Sequence, residues 1–229
     1  MAASLATAEA ATAARAEILR AAAHAVAEHG FHGMSMRELA KATGRSPASF
    51  YNYFSSKEAV LLAIQSEAFE VLLAAAEGVL SQFTDPRERL YAFVLNHVQY
   101  FAKHGDVMRV LIHEANSLAP ESRAKVGSLK RRYFQLARDL VEKHVAPDTR
   151  AAEVERITYC LFGMLNWIYG WYQPKQHGAP SLVARSIFSV AEGGLGAAHS
   201  RDESLNKVER ELSGMNAPEL LASTKEIRT

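Results

Sequence analysis

The chain has 229 residues, of which 48% are hydrophobic and 22% are charged, a composition typical of soluble globular proteins. Lysine and arginine total 26 and aspartate and glutamate total 25, so the net charge of +1 excludes a strongly basic chain, and any nucleic-acid surface must be local. The single cysteine excludes an intramolecular disulfide and a cysteine-built zinc site. No apolar run reaches the roughly 18–20 residues of a membrane span, and the Ala-rich start does not read as a secretory signal. We therefore expect a cytoplasmic protein with no membrane partner.

Helix-forming residues dominate the chain, prolines are few and alternating β-branched residues are almost absent, which predicts an all-α fold. Composition and breaks divide the chain into four predicted segments. These are a flexible N-terminal arm over 1–13, a compact helical domain over 14–55, a larger helical domain over 56–193 and a polar tail over 194–229.

The compact domain carries start and stop signals for three helices in chain order. The first is predicted over 14–29 and ends at Gly30, because a residue without a Cβ suits a left-handed C-cap. The second opens with the capping box of residues 35–38. The third is predicted over 47–53, with Ser46 as its cap and a proline at its first position. A further capping box, starting at Ser55, predicts the start of the long helix that follows.

The second and third helices are joined by a three-residue turn that contains Gly44, which is the helix-turn-helix pattern. The third helix is too short to be stable alone. It would bury Phe50 and Phe54 while its small and polar side chains project outward, an arrangement that suits the major groove of DNA. The alternative is a plain helical hairpin in a bundle. Exposed tyrosine and asparagine, in place of the lysine and glutamate of a solvated face, favour DNA binding.

The stretch from Ile18 to Leu61, in particular HGFHGMSMRELAKATGRSPASFYNYFSSKEAVL, resembles the DNA-binding domain of TetR/AcrR-family transcriptional regulators. One departure is Arg45, where the family usually has an apolar residue; its head either faces phosphate or stays in water while its stem covers the core. The resemblance implies a helix-turn-helix domain over 14–55 and an effector-binding and dimerisation domain over 56–193. It also implies a homodimeric repressor that leaves a palindromic operator in double-stranded DNA when a small molecule binds.

The resemblance assigns DNA contacts by position. The expected phosphate contacts are Ser35, Arg37, Ser46, Tyr51, Tyr53 and Lys57. The expected contacts to base edges or adjacent backbone are Thr43, Arg45, Ala48, Ser49 and Asn52. Physical chemistry agrees with this division, because hydroxyls, a lysine and helix N-termini position a protein on the backbone, whereas asparagine and small side chains can read bases.

The larger domain is predicted to contain helices near 86–103, 105–117, 121–144, 149–173 and 181–193. The family resemblance implies that the last two pair with those of a second copy in a four-helix interface. Residues 165–174 are also similar to a segment of TetR-family regulators of fatty-acid, steroid and aromatic degradation, several of which sense acyl-CoA thioesters. Plain interface packing is the alternative for the aromatic residues of this segment.

Polar residues on otherwise apolar helices are the candidates for an effector site, because small-molecule cavities combine apolar walls with a few polar anchors. They are Asn96, His97, Tyr100, His113, Glu114, Asn116, Tyr133, Tyr159, Asn166 and Tyr169, together with Trp167. Each could instead be an ordinary core or surface residue. The basic run over 130–132 could hold the phosphates of a CoA ester, or form a solvated face.

No catalytic, metal or cofactor site is apparent in the sequence. The pair His113-Glu114 lacks the second histidine of a zinc motif, and the GxSxG, GxGxxG and P-loop patterns are absent. Cys160 lies in an apolar stretch and is expected to be buried and inert. Two other functions remain open: a helical small-molecule-binding protein without operator binding, and a helical enzyme acting on an acyl thioester.

Overall fold

The computed structural model describes residues 2–197, and the side chains of residues 13–193, as an assembly of eleven helices without strands. The helices are α1 (Ala2–His29), α2 (Met36–Ala42), α3 (Pro47–Tyr51), α4 (Lys57–Leu80), α5 (Pro86–Lys103), α6 (Gly105–His113), α7 (Pro120–His144), α8 (Ala151–Asn166), α9 (Ile168–Trp171), α10 (Pro174–His177) and α11 (Pro180–Ala197). The all-α prediction is confirmed for these residues. Most of the predicted tail over 194–229 lies outside them.

The first helix starts earlier than predicted. It begins at Ala2 rather than near residue 14, so the stretch predicted as a flexible arm over 1–13 is helical from its second residue. The physical reason is composition: the stretch is rich in alanine, the best helix former, and contains neither glycine nor proline to stop the helix.

Caps and glycines define the helix-turn-helix unit much as its sequence predicts. Ser35 forms a capping box with Glu38, and Ser46 caps α3 ahead of a proline. Gly30 and Gly44 take positive φ values of 73° and 68°, which L-residues rarely adopt. Two boundaries differ from the prediction: α3 ends at Tyr51 rather than Tyr53, and the cap of α4 is Ser56 rather than Ser55, because the Ser56 hydroxyl accepts the Ala59 N–H.

One apolar core joins the helix-turn-helix unit to the helices that follow it. Phe50, Leu39 and Leu61 are almost fully buried and belong to the same cluster of side chains as Val110 of α6 and Val126 of α7. The predicted boundary at residues 55 and 56 is therefore not a gap in packing. The described chain forms one compact unit that ends at Ala191, and a second unit begins at Glu192.

Helix boundaries in the larger region agree with prediction for α5 and lie within a residue of it for α7. The predicted helix over 105–117 ends early, at His113, and continues as a turn. The predicted helix over 149–173 divides into α8 and α9 at Trp167, because an i→i+3 bond from the Gly170 N–H to the Trp167 carbonyl tightens the chain there. The final helix opens at Pro180, one residue before the predicted start at 181.

Among the described residues, α4 alone is long and apolar enough to cross a membrane by length and composition, although no such span was expected. More than half of its most apolar stretch is buried inside the protein. The buried residues of α4 include the polar Gln65 and Ser66, and the Gln65 side chain donates a hydrogen bond to the Glu114 carbonyl within the protein. These features identify α4 as a core helix that spans the fold from the helix-turn-helix unit.

Candidate DNA interface and effector cavity

The outer face of α3 and its flanking turns presents most of the predicted DNA contacts to solvent. Ala48 and Asn52 are exposed, Tyr51 is 51% exposed, and Ser49 and Tyr53 are half-buried. Phe50 on the opposite face is fully buried, and its ring lies 5.6 Å from that of Phe54. The short helix is therefore anchored through phenylalanine and offers small, polar and tyrosine side chains outward.

The two capping serines differ in what they leave for a phosphate. The Ser46 hydroxyl accepts the Ser49 N–H at 3.2 Å, which leaves its own O–H free to donate. The Ser35 hydroxyl instead donates to Glu38 Oε2 at 2.7 Å. Hydrogen bonds from the Ser35 backbone and side chain lower the pKa of Glu38, which keeps this carboxylate ionised. Ser46 is thus ready to donate to an anion, whereas Ser35 must first release Glu38.

The turn between α2 and α3 carries two predicted base-reading residues that already have partners. The Thr43 hydroxyl donates to the Ala40 carbonyl at 2.9 Å and helps to end α2. The Arg45 guanidinium lies over the ring of Tyr53, 5.2 Å from its centroid. Cation–π stacking fixes the Arg45 head at the surface without neutralising its charge, so this residue adds a fixed positive charge beside α3.

Lys57 has a structural role in addition to its predicted phosphate contact. Its ammonium donates to the carbonyls of Phe31 and Met34, both at 3.3 Å, and lies 4.7 Å from the centroid of the Phe31 ring. These bonds tie the loop before α2 to the start of α4. An ammonium has three N–H groups, so one remains for an anion. Arg37, by contrast, is exposed on the first turn of α2.

A cavity of about 460 Å³ lies between α4, α5, α6, α7 and α8. Five of the predicted effector residues line it, namely His97, Asn116, Tyr133, Tyr159 and Asn166. Aromatic and aliphatic side chains form most of the remaining wall, including Phe69, Phe101, Met108, Phe134 and Phe162. A cavity of this size with a few polar groups is the usual form of a small-molecule site.

Six predicted effector residues do not line the cavity, namely Asn96, Tyr100, His113, Glu114, Trp167 and Tyr169. Tyr100 packs on His104 with ring centroids 4.6 Å apart, and burial raises its pKa to about 12. Tyr169 pairs its hydroxyl with His113 Nε2 at 3.3 Å outside the cavity. Trp167 is 62% exposed. Asn96 is half-buried away from the cavity wall.

Three polar or charged cavity residues were absent from the predicted set or present only as part of a basic run: Gln65, Arg123 and Lys130. Gln65 is 2% exposed and lies one turn after the buried Leu61 on the same face of α4. An amide on a buried face needs a partner, and that requirement is the sequence signal that could have identified it. Of the basic run over 130–132, only Lys130 lines the cavity, and Arg132 pairs with Glu77 at 3.9 Å.

A buried polar pair sits in the aromatic part of the cavity wall. His97 Nδ1 and the Tyr133 hydroxyl are 3.2 Å apart, and each residue is 2% exposed. Burial lowers the pKa of His97 to about 3, so its imidazole is neutral. Burial also raises the pKa of Tyr133, which keeps its hydroxyl protonated. Nε2 of His97 has no hydrogen-bond partner among the described residues.

Glu114 connects the cavity wall to the helix-turn-helix unit. Its carbonyl accepts a hydrogen bond from the Gln65 side chain at 3.0 Å, and Gln65 lines the cavity. Its carboxylate accepts the backbone N–H of Phe31 at 2.9 Å and the Ser117 hydroxyl at 2.5 Å. Phe31 is the residue whose carbonyl is held by Lys57. One short segment after α6 therefore touches both the cavity and the loop before α2.

The last two long helices of the described chain expose apolar side chains. On α8, Tyr159 is 60% exposed and Cys160 is exposed, which contradicts the expectation that this cysteine is buried. The physical reason is its place on the solvent side of α8, between helix positions that face the core. On α11, Leu182 is 56% and Val190 is 65% exposed. These are the helices predicted to pair with a second copy.

One exposed cluster of potential metal ligands, formed by His24, Glu28 and Asp106, lies apart from these sites. Arg109 already places its guanidinium 2.9 Å from Glu28 and 4.0 Å from Asp106. His24 Nδ1 is 2.9 Å from Asp106. The cluster is an ion-pair network between α1 and α6 in which an arginine supplies the positive charge.

The helix-turn-helix unit exposes a short helix, and the segment at Glu114 connects this unit to a cavity in a helical domain. This combination is that of a ligand-responsive DNA-binding regulator. Residues 18–64 match the family model of bacterial regulatory proteins of the tetR family, and residues 84–195 match that of tetracyclin repressor-like C-terminal domains. The chain belongs to the TetR family of transcriptional regulators.

Individual relatives agree with this assignment. The TetR-family regulator PfmR from Thermus thermophilus is 32% identical and has a TM-score of 0.68 over 78% of this chain and 98% of its own. The regulator UidR from Escherichia coli strain K12 is 27% identical over 162 residues, which are 66% of this chain and 79% of UidR. The complex of AibR with isovaleryl coenzyme A and operator DNA is 22% identical with a TM-score of 0.68, covering 77% and 97% of the two chains; this likeness concerns the fold.

Proposed function

We propose that this TetR-family regulator is a cytoplasmic, non-enzymatic repressor. It binds a palindromic operator as a homodimer and leaves it when a small apolar or acyl-CoA-type effector occupies the cavity. The observation that carries this proposal is the position of Glu114, between a cavity residue and the loop that orients the helix-turn-helix unit. This segment provides a direct connection from a cavity residue to the loop before α2.

The coupling follows from the bonds at each end of this segment. Gln65 bonds to the Glu114 carbonyl from inside the protein, and Ala115 and Asn116 line the cavity directly. An effector that displaces these residues also moves the carboxylate that accepts the Phe31 N–H. A ligand shifts a two-state equilibrium only through its different affinity for the two states. Here the second state is one with the Phe31 contact altered and the recognition helices in a different orientation.

The exposed apolar faces of α8 and α11 support the homodimer. Large exposed apolar side chains on a helical surface, such as Leu182 and Val190 of α11, are typical of a protein interface. Two copies of α3 must also reach two major-groove segments, about 34–36 Å apart or at a related spacing. A symmetric pair of subunits matches the symmetry of a palindrome, and a change in their relative orientation removes that match.

Two observations support the effector class. AibR, which shares the fold, binds isovaleryl coenzyme A together with operator DNA, and the cavity combines aromatic walls with basic residues. The small-molecule-binding alternative without operator binding is disfavoured by the exposed, anchored α3. The enzyme alternative is disfavoured because the compared relatives are transcriptional regulators.

The decisive experiment measures binding to the duplex upstream of the protein's own gene by fluorescence anisotropy, against a scrambled duplex. We expect two subunits per palindrome, and about 5–150-fold weaker operator binding with saturating isovaleryl coenzyme A. Equal affinity for both duplexes would favour the small-molecule-binding alternative. Operator binding that CoA esters leave unchanged, with no thermal shift, would refute the acyl-CoA effector.

The coupling step has its own variant and control. Glu114→Ala removes the acceptor of the Phe31 N–H and is expected to reduce the effect of effector on operator affinity while effector binding persists. Glu121→Ala, at an exposed position on the first turn of α7, is the matched control. Unchanged release of operator by Glu114→Ala would show that the signal travels by another route.

A further inference from the structure

Helix α7 presents a single stripe of residues to the cavity, and the chemistry of this stripe changes along the helix. The lining residues recur at helical spacing as Arg123, Val126, Gly127, Lys130, Tyr133 and Phe134. Both cations precede both aromatic residues. The seven-residue interval between the cations places them on one face, about 10 Å apart along the axis. One part of the cavity wall is therefore cationic and the next part is aromatic.

The charges of the cavity wall are not balanced. Within the described part of the chain, two cations and no carboxylate line the cavity. Elsewhere on α7, Arg132 and Arg138 pair with carboxylates, whereas no ion pair of Arg123 or Lys130 is found among the described residues. An unpaired pair of cations beside a concave site attracts an anion and raises its local concentration.

Arg123 is held in place by the backbone. Its Nη2 donates to the Asn116 carbonyl at 3.1 Å and to the Leu118 carbonyl at 2.8 Å. These carbonyls orient the guanidinium without neutralising it, and the N–H groups of Nη1 and Nε are left for an oxyanion. Asn116 lies two residues after Glu114, which contacts Phe31, so an anion on Arg123 acts close to that contact.

We infer that the effector is an amphipathic anion, with its carboxylate or phosphate oxygens at Arg123 and Lys130 and its apolar body among the aromatic residues. This inference rests on the cavity being the effector site, and it excludes a neutral apolar effector. A free carboxylate and a CoA thioester share the required chemistry. They differ in whether the charge is on the acyl chain itself or on the phosphates of its carrier.

Calorimetric titration of the full-length protein tests the inference with three probes of equal chain length: octanoate, octanoyl coenzyme A and 1-octanol. We expect at least one anion to bind more tightly than the alcohol, and the better anion identifies the source of the charge. Lys130→Gln should weaken that anion about two- to five-fold at low salt and leave the alcohol unchanged. Lys130→Arg should restore binding, because it keeps the charge.

Lys125→Gln is the matched control, since Lys125 is exposed on the same helix but does not line the cavity. Binding of the alcohol as tightly as either anion, no binding of either anion, or equal anion affinities of wild type and Lys130→Gln would overturn the inference. Operator binding is scored separately on the same samples. If the wild type does not bind the operator, the proposed function is refuted, while the titrations still decide the charge of the ligand.

Discussion

The helix-turn-helix unit and the effector region begin their helices by different means. In the first, α2, α3 and α4 each start with a serine whose hydroxyl accepts a backbone N–H. In the second, α5 has such a cap from Asp85, whereas α6, α7 and α8, which follow it, start without one. Caps are local interactions, so short helices can be defined by a few residues of sequence. The uncapped helices depend on packing against distant residues, which also shapes the cavity between them.

The largest expected effect tests whether these two regions are separate folding units. Phe50→Ala removes a fully buried ring from the core cluster that joins α3 to Val110 and Val126. We expect the free energy of unfolding to fall by about 3–5 kcal/mol. Because the core is continuous, differential scanning calorimetry should show one transition that moves as a whole.

Tyr51→Ala is the control for Phe50→Ala, because the Tyr51 side chain is next in sequence but 51% exposed. Its removal should leave stability nearly unchanged. Two resolved transitions, of which only one responds to Phe50→Ala, would contradict the single core. Such a result would restore the predicted boundary at residues 55 and 56 as a true domain boundary.

The same contrast explains how much could be predicted from sequence. Ser35, Ser46 and Gly44 act on neighbouring residues, so the helix-turn-helix unit was predictable almost residue by residue. The tie from Lys57 to the Phe31 carbonyl was not, because it joins a loop to a helix 26 residues away. In such cases the residue type shows that a partner is needed but not which one.

The effector cavity was predictable in composition but only partly in membership. The rule of polar residues on apolar helices selected His97 and Tyr133, and both line the cavity. The same rule selected Tyr100, which lies about one turn from His97 on α5 and packs on His104 instead. Which face of a helix meets the cavity depends on how five helices pack together, and periodicity alone does not determine that packing.

The next prediction concerns the buried polar pair of the effector region. His97→Phe leaves the Tyr133 hydroxyl buried without its partner at 3.2 Å, and should lower the free energy of unfolding by about 1–3 kcal/mol. The double variant His97→Phe/Tyr133→Phe removes both polar groups and should recover most of that loss. Urea denaturation of the wild type and the variants measures both steps.

The matched single variant, Tyr133→Phe, completes the double-mutant cycle and isolates the interaction between the two side chains. If the double variant loses more unfolding free energy than the two single variants lose together, the broken hydrogen bond is not what destabilises His97→Phe. That outcome would point to the aromatic packing around Phe101 and Phe162 as the dominant contribution of His97.

The pH dependence of stability follows from the same histidine. Burial lowers the pKa of His97 from 6.5 to about 3, so between these values the unfolded chain binds a proton that the folded chain does not. The contribution of neutral His97 to the free energy of unfolding is complete above pH 6.5. It is lost as the pH falls, at about 1 kcal/mol for each pH unit. Between about pH 7 and pH 5, the melting temperature should fall less with decreasing pH for His97→Phe/Tyr133→Phe than for the wild type. An equal fall in melting temperature for both proteins would assign the acid sensitivity to other groups, such as His104, whose pKa is also lowered by burial.

The smallest expected effect separates DNA contact from structure within the helix-turn-helix unit. Arg37→Ala should weaken operator and scrambled duplexes alike by a few-fold and reduce the slope of log K against log salt by about 1. Its melting temperature should not change, because Arg37 is exposed. Lys57→Ala should show the same effect on DNA together with lower stability, since the Phe31 and Met34 carbonyls lose their donor.

Lys41→Ala is the control for both variants, because Lys41 is exposed in the last turn of α2 and outside the predicted contact set. An unchanged salt slope for Arg37→Ala would reject its phosphate contact. An unchanged slope for Lys57→Ala, combined with a lower melting temperature, would assign Lys57 to the structural tie alone. If neither variant changes the slope, the positive charge at the DNA surface comes from the Arg45 head, which its stacking on Tyr53 holds beside α3.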